Sequence, residues 1–128
     1  MLHAAAKVRH TEGSAPQKLV LFNPVCCTCT IQPSINAQAG TALDLTGMCP
    51  LHDLPVPAVP ACIFHGTNDT IALYSDVEHY VKRCTDSGSP VTLRTYIGRS
   101  HAFHHYDENR ADYQDTLNAT MAFLLNTP

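Results

Sequence analysis

The sequence predicts an α/β fold, a mostly parallel sheet with helices on its flanks. Three observations predict it. Short apolar runs bounded by turn residues recur along the chain, an amphipathic helix pattern separates the last two, and a second helical pattern closes the sequence. Strands alternating with helices in this order read as a parallel layer covered on both faces.

The first run, Lys18–Phe22 (KLVLF), is stopped by Asn23-Pro24. The second, Ala61–Phe64 (ACIF), follows the proline-rich LPVPAVP and is stopped by His65-Gly66. Unbroken apolar runs of this length suit strands buried on both faces. The third, Val91–Tyr96 (VTLRTY), alternates apolar and polar residues, as a strand near the sheet edge does. Before it, Ser75 and Glu78 match the S-x-x-E capping box. Val77, Tyr80, Val81 and Cys84 then fall at i, i+3, i+4 and i+7, one apolar helical stripe. Lys82 and Arg83 suit the negative end of the helix dipole, and Gly88 suits its termination. A last helix is predicted over residues 112–125, with Asp112 as N-cap and Tyr113, Leu117, Met121 and Leu124 on its apolar face. The connection over residues 23–60 is long for such a unit. It is expected to hold one short helix around Ile35–Leu45 and to serve as a lid or substrate loop.

A chain of 128 residues suffices for one domain and not for two. Its 45% hydrophobic and 15% charged residues are those of a globular protein. A net charge of −3, with only eight scattered basic residues, excludes a phosphate-binding surface and so a nucleic-acid partner. Leu19-Val20-Leu21-Phe22 and similar runs fall far short of the roughly 20 apolar residues of a membrane span. Residues 1–10 match neither a signal peptide nor a transit sequence.

Cys26, Cys27 and Cys29 crowd one segment, while Cys49, Cys62 and Cys84 are dispersed. The strand context of Cys62 and the helix context of Cys84 favour buried free thiols over a disulfide scaffold. Cys49 and His52, spaced C-x-x-H, could join two of the early cysteines around zinc, which makes a Cys-rich metal-binding module one alternative. C-C-x-C is a poor partner for that pair, so all six are read as reduced, metal-free core filling.

In open α/β sheets, ligand sites gather at the carboxyl ends of the strands. Two polar clusters occupy that location. His65-Gly66-Thr67-Asn68-Asp69-Thr70 follows the second strand, and the segment from Gly98 to His105 follows the third. If the two strands are neighbours, Asp69 and His101 share one rim. A carboxylate beside an imidazole fixes its tautomer and stabilises the imidazolium formed when it takes a proton. Asp69 also suits a plain turn-capping role, and His104 and His105 compete with His101. His65 is better placed to buttress the loop than to react.

FHGTND, the following helix, YIGRSHAFHHY and a terminal helix ending in AFLL resemble the C-terminal third of an α/β-hydrolase. The likeness is strongest to the esterase/lipase and dienelactone-hydrolase-like branch, with its H-G-x-x-D and G-x-x-H-x-F patterns. KLVLFNPV is similar to the strand that follows the nucleophile helix in acetylesterase-like members. The resemblance runs from Lys18 to Leu125 and is weakest over residues 26–56. It implies one partial domain over residues 1–128, with Asp69 as triad acid and His101 as triad base. It also implies a small-molecule carboxylic ester as substrate and no metal or organic cofactor. The acid precedes the histidine by 32 residues, in the family's order of nucleophile, acid, histidine.

One departure is plain. The G-x-S-x-G turn that carries the family's nucleophile does not occur; Gly13-Ser14-Ala15 lacks the first glycine and a preceding strand. The oxyanion-hole glycine cluster does not occur either. Both are expected upstream of Met1, so the chain alone is expected to be inactive, and a non-catalytic truncated fragment is the main alternative. The outer edge of KLVLF would then expose unpaired N–H and C=O groups and favour self-association.

Overall fold

A computed structural model describes residues 16–126. The elements run β1 (Leu19–Phe22), α1 (Thr28–Ala39), β2 (Ala61–Gly66), α2 (Tyr74–Asp86), β3 (Val91–Tyr96) and α3 (Arg110–Leu125). The strands form one parallel sheet in the order β1-β2-β3, with Leu19 opposite Ala61 and Ala61 opposite Val91. The α/β class expected from the alternation is the class observed.

The period of two along β2 explains the layering. Ala61 and Ile63 point to the face covered by α2, where they pack with Leu19, Leu21, Cys26, Val77, Tyr80 and Cys84. Cys62 and Phe64 point to the opposite face, against Phe103 and the α3 residues Ala119 and Phe123. Every residue of β2 is buried, as the unbroken apolar run requires. β3 is an edge strand that half-buries Val91, Leu93 and Tyr96 and exposes Thr92, Arg94 and Thr95. Burial pushes the thiols of Cys26, Cys62 and Cys84 and the Tyr80 hydroxyl upward in pKa, so they remain protonated within the core.

Several boundaries differ from the sequence reading. β1 is an edge strand of the described sheet, as expected for this chain, but its burial alternates where the apolar run suggested burial on both faces. The helix of the long connection starts at Thr28, ahead of Ile35–Leu45, and buries none of its residues. The N-cap of α2 is Leu73, so Ser75 lies inside the first turn and makes no capping box. The apolar stripe of α2 is as expected: Val77, Tyr80 and Cys84 are buried, and Gly88, at φ 73°, ends the helix by donating to Thr85 O at 2.9 Å.

α3 is capped by Asn109, not Asp112: its side-chain oxygen accepts from Ala111 N and Asp112 N at 3.0 and 3.1 Å. The helix is also rotated from the expected phase. Thr116 is its buried residue, whereas Leu117, Met121 and Leu124 are exposed. Polar anchors set this rotation. Arg99 pairs with Asp112, and Tyr96 donates to Asp115 at 2.5 Å. At the other end, Lys18 Nζ donates to the carbonyls of Phe123, Leu124 and Asn126 at 2.7, 3.1 and 2.5 Å, where a helix terminus favours a cation.

Candidate active site

The loops after β2 and β3 are hydrogen-bonded to each other. Thr67 N donates to Tyr96 O at 3.0 Å, Asn68 N to Arg99 O at 3.0 Å, and Gly98 N to Thr67 Oγ1 at 2.8 Å. The Arg99 carbonyl sits so close over Gly66 that any Cβ there would collide with it. A glycine at the end of β2 is thus what lets the two loops meet.

Asp69 is 4% exposed, and its carboxylate is densely bonded. Oδ1 accepts from Ile71 N and Ala72 N, both at 2.9 Å. Oδ2 accepts from Asn23 Nδ2 at 3.1 Å and from His101 Nδ1 at 2.8 Å. The two backbone bonds form the turn that leads into α2, so the capping role and the pairing role fall on different oxygens of one carboxylate. His101 is half-buried, with its Nδ1 proton directed at Asp69, which leaves Nε2 as the atom able to take a proton.

The neighbouring histidines take other places. His65 is fully buried and lies 2.7 Å from Ala72 O and 3.3 Å from Asp69 Oδ2 through the same Nε2 atom. The proton therefore sits on Nε2, and the ring braces the Asp69 turn. Burial holds the His65 pKa below its ordinary value, partly offset by Ala72 O and Asp69, so the ring is neutral. His104 stacks on Phe22 at 4.5 Å, and burial lowers its pKa as well. His105 is exposed. Among the three histidines of the second cluster, His101 is the one bonded to Asp69.

Asn23 is a site residue that sequence reading missed. At φ 45° it occupies the left-handed region that Asn tolerates better than most side chains. Its Nδ2 holds Asp69, while its Oδ1 accepts from Ala102 N at 3.3 Å, one residue beyond His101. Asn-Pro after an apolar run reads only as a strand stop, and nothing local marks it as a bridge. Among the described residues no hydroxyl or thiol is hydrogen-bonded to His101. The cysteines lie apart from this pair, and all six are free thiols, five of them buried.

Beside the carboxyl end of β1 lies an apolar cavity of about 530 Å³. Val20 and Phe22 form one wall, and Val25, Ile31, Ile35 and Met48 of the long connection form the other. Phe22 is shared between this cavity and the His104 stack.

No protein-family model and no curated protein matches the sequence. Solved structures do match. Esterase 2 of Thermogutta terrifontis phosphonylated by sarin superposes with a TM-score of 0.76 at 22% identity, over 91% of this chain and 46% of that one. The same enzyme phosphorylated by paraoxon gives 0.72 at 25% identity, over 91% and 42%. Its butyrate-bound form gives 0.67 at 24%, over 94% and 47%. The chain spans less than half the length of the esterase it matches. The chain therefore shares the α/β fold of the portion of that esterase it superposes on.

Proposed function

We propose that Asp69 and His101 are the acid and the base of a serine-hydrolase-type triad acting on carboxylic esters, within an enzyme larger than this chain. The observation that carries the reading is the 2.8 Å bond from His101 Nδ1 to a buried, otherwise saturated carboxylate. In such a site Nε2 takes the proton of a serine hydroxyl as its oxygen attacks the ester carbonyl. It then returns that proton to the departing alkoxide, and water repeats the cycle on the acyl-serine. Asp69 accepts from Nδ1 and holds the ring in the tautomer that keeps Nε2 free. This chemistry requires no metal or organic cofactor. The likeness to an esterase supports the reaction class, and the apolar cavity beside β1 suits an apolar acyl or alcohol group. On this reading residues 23–60 are the substrate loop of a single partial domain, nearest in pattern to lipase-like, dienelactone-hydrolase-like or acetylesterase-like enzymes.

A second reading, that the chain by itself turns nothing over, is favoured by the lack of a hydroxyl or thiol bonded to His101 among the described residues. One assay of an activated aryl ester tests both. The chain alone should run near background. The same residues carried on a longer polypeptide that supplies the remaining esterase strands should hydrolyse it, with burst kinetics. His101→Ala in that protein should lower kcat by roughly 10⁴-fold or more. Activity surviving that substitution would reject His101 as the base.

A further inference from the structure

Away from Asp69 and His101, the fold gathers three metal-ligating groups. The Cys27 and Cys49 thiols and the His52 ring present ligand atoms that all lie within 4.8 Å of one another. Cys27 is the residue on which α1 starts. Cys49 and His52 stand on a tight turn, in which His52 N, Asp53 N and Leu54 N all donate to the Cys49 carbonyl at 3.2, 2.7 and 3.2 Å. Asp53 Oδ2 in turn accepts from Cys49 N at 3.0 Å. The turn is fastened to the start of α1 by Leu51 N, which donates to Cys26 O at 2.8 Å. Its other side is held by Arg83 Nη1, which donates to Pro50 O at 2.8 Å. Two segments distant in sequence are thus held in register with their ligating atoms converging. Both sulfurs are buried and the imidazole is exposed, which gives an ion a way in.

We propose that Cys27, Cys49 and His52 form a binding site for a zinc-class divalent cation, with water as fourth ligand. Two sulfurs and one imidazole are a borderline-soft N/S set, which selects zinc over the oxygen-seeking magnesium and calcium. Binding releases one proton from each thiol to solvent as the two S–metal bonds form, while the neutral imidazole contributes a lone pair; no electron is transferred. Two thiolates and a divalent cation sum to zero charge, so this pocket can hold them at modest desolvation cost. Backbone N–H groups of Thr28, Leu51 and His52 lie around the Cys49 sulfur, and those of Cys29 and Thr30 around that of Cys27.

The site also answers a question that apolar packing leaves open. α1 buries no residue and carries an internal proline, yet it forms a wall of the apolar cavity through Thr28, Ile31 and Ile35. The opposite part of that wall, Met48 and Pro50, adjoins Cys49. A cation held between Cys27 and Cys49 pins the helix to the turn and fixes the cavity's shape. This inference does not depend on the esterase reading.

The test uses the full chain, reduced and freed of metal by chelation. Zinc is titrated against a chromophoric competitor, and cobalt is substituted for spectroscopy. One ion per chain is expected, with thiolate-to-cobalt charge-transfer bands and increased hydrogen-exchange protection of α1. His52→Ala, at an exposed position, and Cys49→Ser should each weaken binding at least tenfold, while Cys29→Ser should leave it unchanged. No stoichiometric binding, cobalt spectra without thiolate bands, or an equal loss in Cys29→Ser would overturn the assignment. So would a Cys27–Cys49 disulfide isolated in place of the ion.

Discussion

Asn23 and His101 bond to the same oxygen of Asp69, at 3.1 and 2.8 Å, although they approach it from the ends of β1 and β3. Asn23 reaches onward to Ala102 N, so one amide fixes both the carboxylate and the loop that bears the imidazole. Replacing Asn23 with Ala leaves Ala102 N and one bonding position of Asp69 Oδ2 without their partner. A loss of about 1–3 kcal/mol in urea unfolding is expected, the cost of unmade buried hydrogen bonds. The downfield His101 Nδ1 proton resonance should broaden or vanish as the ring loosens. Unchanged stability together with an unchanged resonance would show that Asn23 positions nothing.

The buried, neutral His65 should make the fold acid-sensitive. Its folded pKa lies below the ordinary value of 6.5, so the unfolded chain binds the proton more readily. Stability is then fully present above that pH and is lost as pH falls through it toward the folded pKa. His104 acts in the same direction. Urea midpoints measured at successive pH values should fall below about pH 6.5, and His65→Gln, whose amide can still donate to Ala72 O, should flatten the slope. An identical slope in the variant would count against this account.

Ala102 sits at φ 61°, a left-handed conformation that a Cβ disfavours. It directly follows His101, and strain of this kind often accompanies a positioned functional group. Ala102→Gly should therefore raise stability by about 1 kcal/mol in thermal or urea unfolding. A destabilised variant would mean that the loop tolerates Ala better than its backbone angle implies.

β1 ends the described sheet on one side, with the apolar cavity running alongside it. An open apolar edge of this kind is a template for further strand pairing. We propose that the isolated chain associates through it. Light scattering after size exclusion should show species above the 14.0 kDa monomer, in proportions that rise with concentration. A monodisperse monomer would sink the proposal.

The sequence made the sheet legible because the buried strands are written as unbroken apolar runs and β3 as an alternation. Asp69 and His101 were legible because polar clusters directly follow those strands. Phase and partnership were harder to read. The larger apolar stripe of α3 faces outward because Asp112 and Asp115, which are polar, fix the helix's rotation through Arg99 and Tyr96. Ser75 resembled a cap only because the position of the first helical turn cannot be read without the Asp69 bonds that shape it. The meeting of Cys27 with Cys49 and His52 depends on the path of a long connection, which C-x-x-H spacing alone does not specify.

Lys18, at the entrance to β1, grips the final carbonyls of α3 and thereby brings Asn126 beside the start of the first strand. The two ends of the described fold are neighbours in space, the arrangement in which circular permutation is tolerated. A short linker from Asn126 to Pro16, with new termini opened in the exposed turn around Gly40–Asp44, would break neither the Asp69–His101 pair nor the Cys27–Cys49–His52 cluster. The order of segments along the polypeptide is thus separable from the geometry they build.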